Sequence, residues 1–485
     1  PGLTTSHPSP STWIPARQRG KPPSGLVLML GAVALATLLC GNPGSPRPLQ
    51  TGPATAEAPR PAYLPLVVGP ATQPADPPWP LTLGRDVDAL AIAGDRLYVG
   101  VGRSVVTYDI SVPGAARRLS QSAYLGGRVA RLAVGGDRLF AVVRPDDFHP
   151  TMDPGQEGSP PWTTLAVLDL SQPEAPLLTT SIGLWNGSHN HYAWDLAAQD
   201  RVAYLAVIDS SHGEPLCGDR DTRCGLMVID TSQQPPELTL RDDLSPLVYR
   251  LMVHRGALLA VGVLPSDVAE DHPGFDVGAM SFDLSNPTSP GLLSAPGHLD
   301  LRQSLGAFNL SGSGDHIYRV IHENALLTAS MTDGGTLSLL LPDVSNPRFV
   351  FDLLPRLALR QHVNVQRTVA EADRLHLLLL EDPLRIFSVD VADPLHPISY
   401  GEFQLTGINF SQRPARWGTG LFDDTWGDLV ATQDARLFVA GGDSGLLVEV
   451  DVSRTGALKE LSRYAAAGKM APGRSVPGRS DAQGR

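Results

Sequence analysis

The sequence predicts an all-β fold, a seven-bladed β-propeller of four-stranded antiparallel blades over residues 85–465. Three observations support this prediction. A strand phrase closing on Asp-x-Ser recurs seven times, a tight polar turn between two apolar runs precedes each copy, and a shorter, more polar strand follows it. Four strands repeated seven times are typical of propellers, whose stacked blades bury one shared core.

The closing phrase is an apolar run that ends in Asp with, in six copies, Ser two residues later. The copies read VVTYDIS, LAVLDLS, LMVIDTS, AMSFDLS, LLLPDVS, IFSVDVA and LVEVDVS. The run indicates a buried strand, and Asp and Ser side chains bind backbone N–H groups where a chain turns. We therefore interpret the seven aspartates as turn-formers: Asp109, Asp169, Asp230, Asp283, Asp343, Asp390 and Asp451.

The turn upstream of each closing phrase predicts a hairpin of the first two strands. It is clearest in AGDRLYV, GGDRLFAVV, AQDRVAYLAV and EADRLHLLLL, and weaker in HRGALLAVGV, HENALLTA and QDARLFVA. Gly-Asp between alternating apolar runs is a hairpin signal. The predicted first strands are DVDALAI, RVARLAV, HYAWDLA, LVYRLMV, HIYRVI, NVQRTVA and TWGDLVA.

The phrases GDRLYV and LMVID resemble the repeats of the LVIVD-repeat family, extracytoplasmic bacterial proteins of propeller type. The best matches are residues 105–113, 226–232 and 384–397, and the resemblance extends over residues 85–465. It implies the propeller fold and an extracytoplasmic location. It implies no activity, because the family has no common catalytic motif to carry over and propellers serve unrelated functions.

Residues 1–40 read as an export signal. A basic RQRGK precedes the apolar run LVLMLGAVALATLLC, which is shorter than the roughly 20 residues that a membrane span needs. Cleavage after the A-x-A arrangement at Ala34 and Ala36, retention as an anchor, and lipidation at Cys40 are the three alternatives. Leu39, before Cys40, is larger than the residue that a lipobox requires.

Two flanking segments are predicted to lie outside the blades. Residues 41–84 form a Pro- and Ala-rich linker, whose YLPLVV stretch is expected to add a strand to the propeller rim or to dock elsewhere. Residues 466–485 are rich in Gly, Pro and Arg and are predicted to be a disordered tail.

Composition agrees with an exported β protein and argues against some partners. The chain has 48 glycines and 44 prolines, which suits many turns. Its formal charge is −12 and no basic block lies within the repeats, so no nucleic acid is expected as a partner. We expect contact with a membrane only through the N-terminal leader.

Cys217 and Cys224 bracket GDRDTR in an insertion of the third blade. Because an exported chain meets an oxidising compartment, we favour a local disulfide between them. A metal-binding pair is the alternative, although no further Cys or close His stands at zinc-finger spacing.

The insertions divide the predicted propeller into two unlike faces. Turns between strands 1 and 2 and between strands 3 and 4 stay short and share one face, which we call the plain face. The connections between strands 2 and 3 and between blades share the other, the loop-rich face. Long segments are predicted there at residues 144–162, 183–190, 209–224, 264–278, 295–315 and 406–424. Loops on one face of a rigid scaffold commonly carry binding residues.

Polar and aromatic side chains in these loops are the candidate ligand-binding residues: Asp146, Asp147, His149, Trp185, His189, His191, His212, Asp271 and His272. Imidazole and carboxylate groups can hold a divalent metal, which is the one cofactor that these residues suggest. Such residues are also ordinary in exposed loops. His189 and His191 are the best metal candidates because alternate strand residues point the same way.

The sequence favours one function class and leaves two others open. No HExxH, EF-hand or GxSxG motif and no other recognisable catalytic group occurs. The favoured function is a noncatalytic, secreted or cell-surface module that binds a protein or polymer through the loop-rich face. The alternatives are a metal-assisted, hydrolase-like enzyme with its site at the mouth of the central channel, and a purely structural envelope role.

Overall fold

The computed structural model of the protein consists of antiparallel β-sheets. It describes residues 67–68, 86–144, 163–186, 189–209, 224–241, 247–265, 275–299, 308–313, 316–321, 336–340, 349–352, 365–379, 383–393, 396–408, 428–442, 444–453, 458–465 and 468–469. All belong to one compact unit, Ala62–Arg485. Among these residues no helix is long and apolar enough to cross a membrane.

Seven sheets each contain four strands paired in sequence order. The first strands are β2 (Val87–Ala93), β6 (Arg128–Gly135), β11 (His189–Gln199), β15 (Leu247–His254), β19 (Phe308–Ser313), β23 (Val365–Glu371) and β27 (Asp428–Thr432). The second strands are β3 (Arg96–Val101), β7 (Arg138–Arg144), β12 (Val202–Asp209), β16 (Ala257–Pro265), β20 (His316–Ile321), β24 (Arg374–Leu379) and β28 (Arg436–Ala440).

The remaining strands form the outer half of each sheet. The third strands are β4 (Ser104–Asp109), β8 (Thr164–Asp169), β13 (Cys224–Asp230), β17 (Phe275–Asp283), β21 (Thr336–Leu340), β25 (Leu384–Asp390) and β29 (Leu446–Asp451). The fourth strands are β5 (Arg117–Gln121), β9 (Leu177–Gly183), β14 (Glu237–Arg241), β18 (Gly291–Leu299), β22 (Phe349–Asp352), β26 (Ile398–Leu405) and β30 (Lys459–Ala465).

The seven sheets close into a ring. The first strand of each sheet contacts the first strand of the next, and the last of them, β27, contacts β2. The first strands therefore line a central channel, and the predicted seven-bladed propeller is confirmed. Each blade is built from consecutive strands, so the ring closes by packing between blades 7 and 1 rather than by exchange of a strand.

Three short strands extend three of the sheets. Val67–Val68 (β1) pairs with β9 at the rim of blade 2, so the end of YLPLVV does add a strand there. Trp185–Asn186 (β10) pairs with β11 at the inner edge of blade 3. Gly468–Lys469 (β31) pairs with β30 at the rim of blade 7, beyond the predicted propeller boundary at residue 465.

The Asp-x-Ser phrases form turns, as their chemistry predicts. In six copies an Asp Oδ1 accepts a hydrogen bond from the backbone N–H two residues later, over 2.6–3.0 Å. The seventh, at Asp343, lies outside the described residues. Some of these carboxylates also pair with the arginine that begins the second strand, as in Arg138–Asp169 at 2.6 Å. These aspartates therefore end the third strand and hold it to the second.

In the fifth blade the predicted order of the strands is shifted by one position. HIYRVI, expected as the first strand, is the second strand β20, and FNLSGS forms the first strand β19. The first and second strands pair up to Ser313 and His316, and the two residues between them lie outside the described residues. Because β20 pairs with β19 and β21, the expectation that HIYRVI is a first strand is wrong, and HENALLTA itself lies outside the described residues.

Two long segments are shorter loops than the sequence suggested. Strands β16 and β17 extend to Pro265 and from Phe275, which pair with each other, so residues 266–274 alone connect them. Similarly, β18 continues to Leu299 and β19 begins at Phe308. Both ladders extend because strand pairing satisfies backbone groups that an exposed loop would leave to water.

A buried carboxylate joins the last blade to the first. Glu449 is fully buried and accepts hydrogen bonds from Arg436 Nη1 at 3.0 Å and Ser462 Oγ at 2.7 Å. Its Oε1 also accepts the backbone N–H of Gly114 in blade 1 at 2.9 Å. The hydroxyl of Tyr464 accepts the N–H of Ala116 at 2.8 Å. Polar groups of blade 7 thus satisfy two backbone donors of blade 1.

We expect Glu449→Gln to destabilise the propeller by about 3 kcal/mol, because breaking a buried ion pair leaves the Arg436 guanidinium less compensated. Chemical denaturation followed by tryptophan fluorescence measures the change. Glu402→Gln is the matched control, since Glu402 pairs with Arg385 at 2.7 Å but has a side chain that is 57% exposed. Its loss should cost less than about 1 kcal/mol, and equal costs at both sites would contradict the closure role of Glu449.

His376 makes the stability of blade 6 depend on pH. It occupies the second-strand position that holds Phe140 in blade 2 and Phe438 in blade 7, and it is fully buried with Nδ1 2.7 Å from Ser388 Oγ. Burial, reinforced by Arg374, lowers the pKa of His376 from 6.5 to about 3. The folded protein therefore holds this imidazole neutral over the range in which the unfolded chain protonates it.

We predict that His376→Phe flattens the acid limb of the stability profile. In the wild type the unfolded chain protonates His376 at a higher pH than the folded protein does. The contribution of His376 to the free energy of unfolding is therefore fully present above pH 6.5 and falls by up to about 1.4 kcal/mol per pH unit toward pH 3. Denaturation midpoints of both proteins from pH 7.5 to 4 measure the slope. An unchanged slope in the variant would show that another group causes the acid sensitivity.

Candidate functional site

The first strands place one residue of each blade at an equivalent level of the channel. This position lies four residues before the last paired residue of the first hairpin, and we call the seven residues the channel ring. They are Ala89, Arg131, Asp195, Arg250, Asn309, Arg367 and Asp428, in blade order. Five of the seven carry a charge, in strands that are otherwise largely apolar.

A β-bulge precedes the ring residue in five blades. The register between the first and second strands shifts immediately before Ala89, Arg131, Asp195, Arg250 and Arg367. A bulge inserts one unpaired residue and changes the direction of the side chains around it. Because the bulge recurs at one level of the channel, the position of the ring residues belongs to the backbone structure of the repeat.

Four charged side chains of the ring contact the following blade. The Nε atom of Arg131 lies 3.6 Å from Asp195 Oδ1, and that of Arg367 lies 3.4 Å from Asp428 Oδ1. Asp195 accepts the N–H of Leu251 at 2.9 Å, whose blade is the next in order. Charges along the channel wall therefore join neighbouring blades.

Asp428 completes this pattern at the closure of the ring. Its Oδ2 atom accepts the backbone N–H of Leu90 in blade 1 at 3.0 Å, and its Oδ1 accepts the N–H of Leu429 at 2.9 Å. Because Arg367 of blade 6 also faces this carboxylate, Asp428 links three consecutive blades. The side chains of Asp428 and Arg367 are 18% and 10% exposed, so the linkage is largely desolvated.

The charged side chains of the ring interact electrostatically with one another. Burial lowers the pKa of Arg367 to about 9, and repulsion from Arg131 and Arg250 acts in the same direction. Asp428 and Asp195 act in the opposite direction. All five charged ring residues thus lie within electrostatic reach, and three guanidinium groups face two carboxylates.

A second charged cluster lies beside the ring between blades 1 and 2. Arg128 donates from Nη2 to Asp88 Oδ1 at 2.7 Å, and its Nη1 lies 3.1 Å from Asp86 Oδ2. Asp88 is the bulged residue of β2, and both it and Arg128 are buried. In blade 1, whose ring residue is Ala89, the carboxylate stands on the bulge itself and binds the arginine of the next blade.

The structure places three of the predicted ligand-binding residues on one hairpin of blade 3. Trp185 lies on β10, and His189 and His191 lie on β11. His191 is only 2% exposed, within strand β11 and beside the core residue Tyr192. It therefore belongs to the protein interior rather than to an open loop surface.

The other predicted site residues lie outside the described residues. These are Asp146, Asp147, His149, His212, Asp271 and His272, together with Cys40 and Cys217; Cys224 begins strand β13. Within the described part of the chain, no group of three or more His, Cys, Asp and Glu side chains is arranged to hold a metal ion. The metal site and the disulfide remain predictions.

Among the described residues, Tyr124 is an exposed aromatic side chain on the loop-rich face. Tyr124, in the connection between blades 1 and 2, is 55% exposed. Its hydroxyl accepts a hydrogen bond from Arg103 Nη1 at 3.0 Å, and the Arg103 guanidinium centre lies 5.5 Å from the ring centroid. Arg103 belongs to the short turn between β3 and β4 on the same face. The contact holds the phenol ring in place at the protein surface.

The candidate residues predicted from the loops do not include any member of the channel ring. The signal is present in the sequence: a charged residue interrupts the apolar first strand at the same distance from the hairpin in RVARLAV, AWDLA, VYRLMV, VQRTVA and WGDLVA. The pattern is visible when the seven repeats are aligned on the hairpin turn instead of on the Asp-x-Ser phrase.

No protein-family model matches the chain, and no curated protein sequence matches it. Solved structures that it resembles include a Bacteroides fragilis protein provisionally assigned as a 6-phosphogluconolactonase, with a TM-score of 0.46 and 10% identity over 77% of this chain and 92% of that one. The computationally designed protein Ika8 gives 0.42 and 9%, over 80% and 90% of the two chains. Sqt1 of Saccharomyces cerevisiae gives 0.40 and 10%, over 76% and 96%. These similarities identify no ligand and no activity, and the propeller assignment stands on the closed ring of sheets.

We expect Asp428→Asn to cost about 2–3 kcal/mol of stability, because it removes the charge that compensates buried Arg367. Combining it with Arg367→Gln should cost at least about 1 kcal/mol less than the sum of the two single variants. Urea denaturation of the four proteins measures this coupling. Strict additivity would show that the 3.4 Å ion pair contributes nothing.

Proposed function

We propose that the protein is an exported or cell-surface binding module that contacts a protein or polymer through its loop-rich face and catalyses no reaction. The LVIVD-like repeat phrases and the export-type leader support an extracytoplasmic location. The observation that supports the binding role is the difference in loop length between the plain face and the loop-rich face. The hairpin turns of the plain face contain two residues in blades 1–4 and 6, whereas the longer connections begin and end at the other face.

The Tyr124–Arg103 pair supports this role with a defined surface feature. Tyrosine and arginine are enriched among residues that dominate binding energy, since each combines a large contact area with polar atoms. Tyr124 exposes more than half of its surface while its hydroxyl is held by Arg103. A pre-oriented aromatic side chain loses little entropy when a partner covers it.

The metal-assisted alternative would need imidazole and carboxylate groups to converge at the channel mouth. The described channel ring carries three guanidinium groups, whose charge disfavours a divalent cation beside them. His191, one of the two best metal candidates, is buried in strand β11. Binding without catalysis is therefore the function that the described residues support best.

We predict that Tyr124→Ala weakens partner binding at least about tenfold, as expected for an exposed interface anchor. The full chain is immobilised and exposed to detergent-solubilised cell-envelope proteins and to purified cell-wall polysaccharide, and each retained partner is then titrated by surface plasmon resonance.

Val112→Ala is the matched control, because Val112 is 58% exposed in a turn on the plain face. It should leave the dissociation constant unchanged within twofold. An equal loss in both variants would contradict the assignment of binding to the loop-rich face. No measurable binding by the wild type, together with hydrolytic turnover, would replace the binding module with the enzyme.

A further inference from the structure

The hairpin of blade 3 carries its arginine one residue earlier than the hairpins of blades 1 and 2. In blades 1 and 2 the turn is Gly-Asp, and the second strand begins at Arg96 and Arg138. In blade 3 the turn is Asp200-Arg201, and Val202 begins the second strand. Asp200 has a φ of 52°, close to the 56° and 54° of the glycines at the same turn position in blades 1 and 2. The arginine of blade 3 therefore stands in the turn and not on the strand.

This shift leaves the Asp-x-Ser carboxylate of blade 3 without an arginine opposite it. In blade 2, Arg138 faces Asp169 across the ladder and pairs with it at 2.6 Å. Asp230 faces Val202 instead. Its Oδ1 atom accepts the backbone N–H of Ser232 at 2.8 Å, the turn contact that the other described phrases share. Among the described residues, no donor is paired with its Oδ2 atom.

The displaced arginine is held by the preceding blade. Arg201 donates from Nη2 and Nε to the two carboxylate oxygens of Asp137, at 2.6 and 3.1 Å. The turns of blades 2 and 3 are in close contact, since a Cβ atom at Gly135 would lie 2.6 Å from the carbonyl oxygen of Asp200. Arg201 thus pairs across the blade boundary and does not replace the missing partner of Asp230.

Blade 4 also lacks the arginine, but its carboxylate is satisfied within the turn. Ala257 faces Asp283 across the ladder. Ser285 donates from Oγ to Asp283 Oδ2 at 2.8 Å and from its backbone N–H to Oδ1 at 2.9 Å. Asp283 is therefore bound through both oxygens, whereas Asp230 is bound through one.

A cavity of about 370 Å³ lies beside Asp230 on the plain face, where turns of blades 2, 3 and 4 meet. Asp230 lines this cavity although it is only 6% exposed, so its carboxylate is largely removed from bulk water. The volume is within the range of roughly 300–1,000 Å³ of pockets that hold small ligands. Three carboxylates line the cavity against the one guanidinium of Arg201: Asp137, Asp200 and Asp230. The lining therefore favours a cation.

We propose that this cavity binds a guanidinium group from outside the chain, in the place beside Asp230 that arginine occupies beside Asp169 in blade 2. A guanidinium group donates paired N–H hydrogen bonds in a planar fork that matches a carboxylate, whereas an ammonium group is a compact point charge. The attraction is screened less at a buried carboxylate than in bulk water. This is a second binding site, on the face opposite to the loop-rich face.

Two guanidinium compounds test the site by isothermal titration calorimetry on the full chain. Ethylguanidine represents a free small cation, and N-acetyl-arginine amide represents an arginine side chain of a partner chain. Stronger binding of the arginine compound assigns the ligand to a partner chain, and equal binding assigns it to a free cation. The controls are N-acetyl-citrulline amide, in which a neutral urea replaces the guanidinium, and N-acetyl-lysine amide.

We expect at least one guanidinium compound to bind at least tenfold more tightly than both controls. If neither compound binds, or if the citrulline or lysine compound binds equally well, the proposal is overturned.

Asp230→Asn should weaken guanidinium binding at least tenfold, because it removes the buried charge but keeps an oxygen acceptor for the N–H of Ser232. Asp283→Asn is the matched control, since it changes the net charge equally at the equivalent turn of blade 4. It should bind within twofold of the wild type. Equal weakening in the two variants would contradict the site.

Val202→Arg tests the same argument in the opposite direction. It returns arginine to the position that arginine holds in blades 1 and 2, so the new side chain should pair with Asp230 and fill the cavity. We expect the variant to unfold cooperatively in urea and to bind guanidinium at least tenfold more weakly. Wild-type binding by the folded variant would overturn the site. The Tyr124→Ala experiment is independent of this result, since it reports the loop-rich face.

Discussion

Closure of the ring between blades 7 and 1 is the constraint on which the rest of the propeller depends. Each blade contacts only its neighbours, so an open array would leave two apolar sheet faces in water. Among the described strands none is exchanged between blades 7 and 1, and closure rests on one antiparallel backbone bridge between Val87 and Gly442 and on side chains. Apolar residues of both blades, among them Val99 and Phe438, share one buried cluster, while Glu449 and Asp428 accept backbone N–H groups of blade 1. Carboxylates make this junction specific, because an unpaired N–H buried there would be costly.

Carboxylates serve three different purposes in this fold, and their positions separate them. The Asp of each described Asp-x-Ser phrase ends a strand and binds the backbone two residues later, at the outer part of the sheet. Asp195 and Asp428 join blades along the channel. Glu449 lies in the core with no exposed surface. A residue type that often marks catalysis is here accounted for by structure at each of these places.

The fold was predictable from the sequence because the repeat combines two signals of different origin. The Asp-x-Ser phrase reports the third strand, and the Gly-Asp turn reports the hairpin, so seven copies of both fix the blade count. In blade 5 the first strand was predicted one strand too late along the chain, because HENALLTA resembles a hairpin in sequence, whereas HIYRVI pairs as a second strand with β19 and β21. The channel ring was not predicted, because a single charge within an apolar strand is ambiguous until the register of neighbouring blades shows that seven such positions share one level.

Strand bulges explain how a ring of charges can exist in the centre of an apolar fold. In a regular ladder, strand side chains alternate between the two faces of a blade, and a charged residue on either face would be buried between sheets. The register shift before Arg131, Asp195, Arg250 and Arg367 interrupts that alternation. The side chains of Arg131, Asp195 and Arg367 are 10–14% exposed, enough for contact with the channel and too little for full hydration. Ion pairs in that intermediate state are attracted more strongly than pairs in bulk water, because the attraction is screened less. The repeated bulge thus allows charged side chains to join neighbouring blades along the channel wall.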